Sequence, residues 1–348
     1  MSNYILEKII QEKPEQELDR LNSVKVMTDI FSRLMEREKD VLTRRYGLLG
    51  EKGETLEGIG KLHKLTRERV RQIEFASIKK IKKLEDLENY ITNLKTIIKD
   101  LLIEHGGFLR KDFLLDILTV LTLEIKHEKK KIVKEEISQQ TYRNNYDFIL
   151  SKILADEFEV IEKSDKFNPL IKVKEEKIDH FEELADDLLN KIEEMKKTFT
   201  TEELVDFLKK LESYNRHQEK MKSRLNTNLF SLYKSKTFYD KAETIHENKV
   251  LYSLIQAIKN LERNKFGHWG SADWQEVKPK TINDKIYLVL KNHGKPMHFT
   301  EIAKKINEVA FDHKKANAAT VHNELILDDR YILVGRGTYA LKKWQEDK

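Results

Sequence analysis

Between Thr55 and Leu84 the apolar residues recur at helical spacing, and most of the residues between them are charged or amide-bearing. Leu56, Ile59 and Leu62 predict a short helix, with Thr55 as its N-cap. A turn through His63 to Leu65 follows, and Thr66 caps a longer helix. On that helix, at about 100° per residue, Val70, Ile73, Ser77, Ile81 and Leu84 fall on one side. Arg67, Glu68, Arg71 and Gln72 fall nearly opposite, as two adjacent i,i+4 rows. The pattern predicts two helices around a tight turn, one face of the second held down and the other presented.

The rest of the chain repeats this helical patterning in short modules. Thr28 to Met35 and Glu36 to Tyr46 predict two supporting helices, with Ile30, Phe31, Leu34, Val41 and Leu42 as core. Gly47 fits the position just past a helix end. Tyr4 to Ile10 predicts an amphipathic helix further upstream, and Lys82 to Asn93 extends or follows the longer helix. Ile97, Ile98, Leu101 and Leu102 make a helix ended by Gly106 and Gly107, and Phe113, Leu114, Ile117 and Leu118 make another. A lysine-rich stretch from His127 to Glu136 reads as a solvated helix or loop. Tyr146 to Leu154 then predicts a helix, and FEVIEK and NPLIKVK a strand pair around Ser164 to Phe167. Three helices and a hairpin are the order of a winged helix, here with a long insertion.

Ile178 to Met195 predicts an amphipathic helix on Phe181, Leu184, Leu188 and Ile192, and Thr200 or Thr201 caps another from Glu202 to Leu211. A helix from about His217 to Tyr233 follows, and FGHWGSADW (Phe266 to Trp274) reads as core packing or a short wing. From Lys280 the order is a helix ended by Gly294, a short extended KPMHF, a helix capped by Thr300, a helix capped by Asn317, and a hairpin turning at Gly335-Arg336-Gly337. The expected fold class is mainly α: tandem helix-turn-helix and winged-helix modules with small β-hairpin wings. The expected segments are 1–27 (helix and linker), 28–92 (helix-turn-helix), 93–175 (winged-helix-like), 176–278 (helical or winged-helix-like) and 279–348 (winged helix).

Charge changes this picture by singling out one segment. The 348 residues carry a net charge of +5, while Lys61 to Leu84 alone holds nine Lys or Arg against two Glu. The basic excess is concentrated where the exposed helix is expected, as a phosphate-binding footprint requires. The exposed residue types also suit a major groove, because Arg pairs with guanine, Glu accepts from cytosine and Gln pairs with adenine. The competing reading of such a helix is a solvated face whose charges do nothing. Composition adds limits: 39% hydrophobic, 36% charged, four Pro and no Cys favour a helix-rich protein without disulfides or thiolate metal sites. No apolar run approaches the roughly 20 residues of a membrane span, so the expectation is a cytoplasmic, nucleoid-associated protein.

LTRERVRQIE (Leu65 to Glu74), preceded by LMEREKDVLTRRYGL (Leu34 to Leu48), resembles region 4 of primary-type bacterial sigma factors, over about Thr28 to Leu84. The resemblance implies a helix-turn-helix that reads the −35 promoter element and docks on the β-subunit flap of RNA polymerase. It implies base reading by Arg67, Glu68, Arg71 and Gln72. Contacts to phosphate are expected from Arg44, Arg45, Thr66, Arg69, Lys79, Lys80, Lys82 and Lys83. Gly58, His63 and Lys64 depart from the family pattern, and Gly58 weakens its helix by up to about 1 kcal/mol. The stretch before Thr28 is too short to hold the sigma domain that melts promoter DNA.

HGKPMHFTEIA and YILVGRGTYAL resemble the HARE-HTH winged helix, also found in the delta subunit of Gram-positive RNA polymerase, over about Lys280 to Trp344. Lys314, Lys315 and Arg336 are its basic groups for contact with DNA or a protein partner, and Asp328-Asp329 would face phosphate poorly. Enzyme signatures do not assemble. There is no phosphate-binding G-x-x-x-x-G-K-[ST], and neither His127-Glu128 nor His246-Glu247 completes H-E-x-x-H. No catalytic residue, metal or cofactor is expected. The expected partners are promoter duplex DNA and core RNA polymerase, with no membrane. The leading expectation is a sequence-specific transcription factor. The alternatives are a polymerase-binding adaptor with little specific DNA affinity and an operator-binding plasmid or phage regulator.

Overall fold

The computed structural model describes residues 21–128 and 137–346. The helix expected over Tyr4 to Ile10 and residues 129–136 of the lysine-rich stretch lie outside them. The described residues form two compact units: one runs up to Glu183 and takes in Glu212–Ile258, and the other is Leu184–Leu211 with the chain from Lys259 onward.

The first unit opens with α1 (Ser23–Phe31) and α2 (Glu36–Tyr46), then α3 (Leu56–His63) and α4 (Arg67–Lys82). Next come α5 (Leu87–Glu104), β1 (Phe108–Arg110), α6 (Lys111–Glu128), and α7 (Gln139–Phe148) running into a π turn at Ile149–Ile153. β2 (Phe158–Ile161) and β3 (Leu170–Val173) complete a three-stranded antiparallel sheet in the order β1-β3-β2. The chain then passes along α8 (Asp179–Met195) and α9 (Thr201–Leu208). α10 (Glu212–His217), α11 (Phe230–Tyr233), α12 (Ala242–Glu247) and α13 (Lys249–Ala257) belong again to the first unit. One continuous core runs from α1 through α5, α6 and α7 to α11, and includes Ile30, Leu42, Ile81, Leu101, Leu114, Tyr146 and Tyr233. A buried ion pair between Lys249 and Glu104 joins α13 to α5, and the ammonium also donates to the Thr227 carbonyl at 3.0 Å.

The second unit holds the hairpin of β4 (Leu261–Arg263) and β5 (Trp269–Ser271), with Phe199 bridged to Trp269 on the other side of β5. Trp269 is buried, and its indole N–H donates to Thr201 Oγ1 at 2.9 Å, so this aromatic group packs inward. The C-terminal winged helix follows: α14 (Ile282–His293), β6 (Met297–His298), α15 (Phe299–Val309), α16 (Ala318–Leu327), β7 (Tyr331–Gly335), β8 (Thr338–Leu341) and α17 (Lys343–Glu346). Its sheet order is β6-β8-β7, the same arrangement as in the first unit.

Local signals place most helix ends. Gly47 and Gly294 end α2 and α14 in the left-handed region, at φ 62° and 72°. Four expectations need correction. α1 starts at Ser23 under an Asn22 cap, five residues before the expected Thr28, because its Val26 and Met27 are drawn into the core. The helix expected at Tyr146 to Leu154 begins instead at Gln139, capped by Ser138, and ends in the π turn. No continuous helix spans His217 to Tyr233, where Asn226 takes a left-handed φ of 54° and Met221, Leu229 and Leu232 are buried from short turns. The cap of α15 is His298 rather than Thr300, which bonds to its ring nitrogen.

Candidate nucleic-acid interface

α3 and α4 meet over a small core of Val41, Ile59 and Val70, with Leu56, Leu65 and Ile73 packed around it. Thr55 and Thr66 cap the two helices, accepting from the backbone N–H of Gly58 at 3.1 Å and of Arg69 at 3.2 Å. Between them Lys64 occupies the left-handed region at φ 54°, a conformation that costs an L-residue about 1–2 kcal/mol. The turn closes through Leu65 N–H to the Gly60 carbonyl at 2.8 Å. A Cβ on Gly60 would stand 2.7 Å from the Leu65 carbonyl oxygen, so this position requires glycine. His63, a departure from the family pattern, bonds Asp40 at 2.7 Å and thereby ties α3 to α2.

The presented face is as the spacing predicts: Arg67, Glu68, Arg71 and Gln72 are all exposed, while Val70, Ser77 and Ile81 are buried beneath. Glu68 receives two bonds from Arg71, at 2.7 and 2.8 Å, and Arg69 donates to Gln72 at 3.1 Å. The Arg71 guanidinium holds the Glu68 carboxyl below the usual range, so it stands ionised as an acceptor. The residues expected at phosphate divide into two groups. Thr66, Arg69, Lys79 and Lys83 are exposed. Arg44 pairs with Asp40 and Glu54 at 2.9 and 3.0 Å, Arg45 with Glu74 at 3.5 Å, Lys80 with Glu38 at 2.9 Å and Lys82 with Asp156 at 2.6 Å. Glu74 also accepts from the Tyr46 hydroxyl at 2.6 Å; burial, then that carboxylate, pushes the phenol pKa up and keeps it a donor.

α7 fixes the base of this assembly. Asn144 donates to the carbonyls of Gly47 at 2.6 Å and Glu51 at 3.1 Å, and Asn145 to that of Leu48 at 2.8 Å. These carbonyls lie at and beyond the end of α2, outside its helical hydrogen bonding. Tyr146 donates to the Leu21 carbonyl at 2.7 Å, and Ser23 donates to that of Tyr142 at 3.1 Å.

On the C-terminal winged helix Lys314, Lys315 and Arg336 are exposed. Gly337 turns the wing at φ 66°, where a Cβ would meet the His298 ring at 2.5 Å. Of the two acidic residues after α16 only Asp329 faces outward. Asp328 is bonded to Arg330 at 2.8 Å and Asn283 at 2.6 Å, and the Arg330 guanidinium draws its pKa down to about 2. Ile326, Leu327, Leu333 and Val334 form exposed apolar positions on α16 and β7. One residue of α4 escaped the sequence reading: Phe75 is 65% exposed on the polar side. Its signal was an aromatic in phase with Arg71 rather than with Val70.

Comparison with known proteins agrees with this geometry. Residues 30–83 match the family Sigma-70, region 4, and residues 280–344 match HARE-HTH, the helix-turn-helix domain family named for ASXL and restriction endonuclease proteins among others. The chain is 42% identical over 71 residues to RNA polymerase sigma factor SigA1 of Synechococcus elongatus, covering 20% of this chain and 18% of that one. It is 37% identical over 82 residues to SigA of Lactococcus lactis subsp. cremoris, covering 24% and 22%. It is 52% identical over 54 residues to RpoD of Helicobacter pylori, covering 15% and 8%. No solved structure matches. The chain thus spans less than a quarter of these relatives. Two segments of it match known helix-turn-helix families, sigma-70 region 4 and HARE-HTH, and a long middle portion lies between them in the chain.

Proposed function

We propose that this protein is a non-enzymatic, cytoplasmic transcription factor that binds promoter duplex DNA with its own sequence preference and associates with RNA polymerase. One observation carries the reading. Four side chains able to pair with base edges stand exposed on a helix whose opposite side is buried, within the segment that matches sigma-70 region 4. The relatives' names, RNA polymerase sigma factors, supply the polymerase association. In this reading α4 enters the major groove of a −35-type element, with Arg67, Glu68, Arg71 and Gln72 on base edges. Thr66, Arg69, Lys79 and Lys83 hold phosphates directly. Arg44, Arg45, Lys80 and Lys82 exchange acidic partners for phosphate; the exchange costs least at Lys82, whose partner Asp156 stands in solvent, and more at Arg45 and Lys80, whose partners Glu74 and Glu38 are largely buried.

Selection of bound sequences from random duplexes, with and without core polymerase, tests the reading. Arg67→Ala is expected to cost about 1–3 kcal/mol on the selected site and to relax preference at one base pair. Replacing Lys79 and Lys83 should weaken all duplexes alike and flatten the salt dependence. Unchanged sequence preference in Arg67→Ala would remove the base-reading assignment. The exposed apolar positions on α16 and β7 favour a second reading, a polymerase-binding adaptor with little specific DNA affinity, in which Lys314, Lys315 and Arg336 flank a protein contact. Capture of polymerase without any sequence preference would select it.

A further inference from the structure

The exposed ring of Phe75 calls for a partner. Helical geometry puts it about 40° around the axis and about 6 Å further along from Arg71, and about 60° from Gln72 on the other side. It therefore lies in the middle of the arc that presents Arg67, Glu68, Arg71 and Gln72, one turn beyond the last of them. Lys79 follows one turn later, about 40° away and also exposed. The ring is 65% exposed, while Val70 and Ile81 of the same helix are fully buried. Arg67, Arg71 and Lys79 outnumber Glu68 on this arc, so its net charge suits an anionic partner. At its centre, where the ring projects, that partner must offer an apolar group.

Duplex DNA fits both demands with one chemical feature. Among the base edges of the major groove the apolar group is the C5-methyl of thymine. A polar side chain at this place would satisfy a hydrogen-bonding edge, whereas a phenyl ring satisfies none and leaves such an edge desolvated. We propose that Phe75 is a specificity-determining residue that selects a C5-methylated pyrimidine, next to the base pairs contacted by Arg71 and Gln72. This rests on the DNA-reading function proposed above and adds a position to it. The ring also loses little freedom on contact, having two torsions against the four of an arginine.

The test uses the full chain on its selected duplex, replacing each thymine in turn by uracil, which removes only the methyl group. Wild-type protein should lose about three- to fivefold in affinity at one position, the ratio expected for one buried methyl. In Phe75→Ala the same replacement should change affinity by less than about 1.5-fold, and in Phe75→Leu part of the penalty should remain. Moving 5-methylcytosine into that position should recover binding relative to cytosine in wild type but not in Phe75→Ala. Circular dichroism and melting should be unchanged in both variants, since the ring stands largely in solvent. The proposal is overturned if no thymine carries a methyl penalty, or if Phe75→Ala keeps the whole penalty, while Arg67→Ala still alters sequence preference. If wild-type protein shows no sequence preference on any duplex, the base-reading function itself fails, and Phe75 with it.

Discussion

α7 and α16 hold the same place in the same topology, yet the molecule uses them in opposite ways. Each is the third helix of a winged helix, followed by two strands of a sheet ordered β1-β3-β2 in one case and β6-β8-β7 in the other. α7 buries Thr141, Tyr142, Asn145, Tyr146 and Phe148; its amides are bonded to the Gly47 and Leu48 carbonyls, within the segment that matches sigma-70 region 4, and its Tyr146 hydroxyl to the Leu21 carbonyl just before it. α16 buries only Val321 and Leu325 and leaves Thr320 and Asn323 in solvent. The helix that topology would nominate for presentation in the first unit is instead the clamp that holds the base of the α3–α4 pair. Side chains, not strand order, decide which way such a helix faces.

The largest expected effect tests the clamp. Tyr146→Ala removes a fully buried ring and the donor to the Leu21 carbonyl, and should destabilise the first unit by about 3–5 kcal/mol in denaturant melts. An unchanged melting curve would mean that α7 does not support the α1–α2 assembly, and the contrast with α16 would collapse.

A second difference lies at the ends of the first helices. His105, at the end of α5, is wholly buried; Nδ1–H donates to the Leu101 carbonyl and Nε2 accepts from the Tyr233 hydroxyl, both at 2.7 Å. At the corresponding end of α14 His293 is exposed. Burial lowers the His105 pKa from 6.5 to about 3, so the imidazole is neutral in the folded chain. The unfolded chain takes up a proton below pH 6.5 and the folded chain does not until about pH 3. Stability of the first unit is therefore full above pH 6.5 and falls as pH drops toward 3, by about 2 kcal/mol between pH 6.5 and 5. Melting of wild type against His105→Gln across that interval should show the slope in wild type and a shallower one in the variant.

How far these features could be read in advance follows from how local their causes are. The caps at Thr55, Thr66 and Asn317 and the left-handed glycines at 47 and 294 act within a few residues, and the two-helix unit around Lys64 was legible from them. So were the exposed Arg67, Glu68, Arg71 and Gln72, because the period of the buried positions fixes the opposite face. The partners of Arg44, Arg45, Lys80 and Lys82 were only partly legible: Asp40 is four residues from Arg44, but Asp156 lies far along the chain from Lys82. β1 is three residues long and exists because β3 pairs with it, which no local signal announces. The bonds from Asn144 to Gly47 and from Asn145 to Leu48 each cross 97 residues, and the sequence marks those amides only as polar.

The smallest effect is the sharpest check on the contrast, because it predicts almost nothing. Asn323 stands at the middle of α16, where Asn144 and Asn145 stand in α7, but its amide is exposed. Truncating it to alanine removes no buried bond and slightly raises helix propensity, so stability should change by less than about 0.5 kcal/mol. The same truncation of Asn145 leaves the Leu48 carbonyl without its donor and should cost about 1–3 kcal/mol. Chemical denaturation of the two variants beside wild type reads both numbers on one scale. A cost above about 1 kcal/mol for Asn323→Ala would show that α16 is also packed against something, and its outward face could not then be offered to a partner.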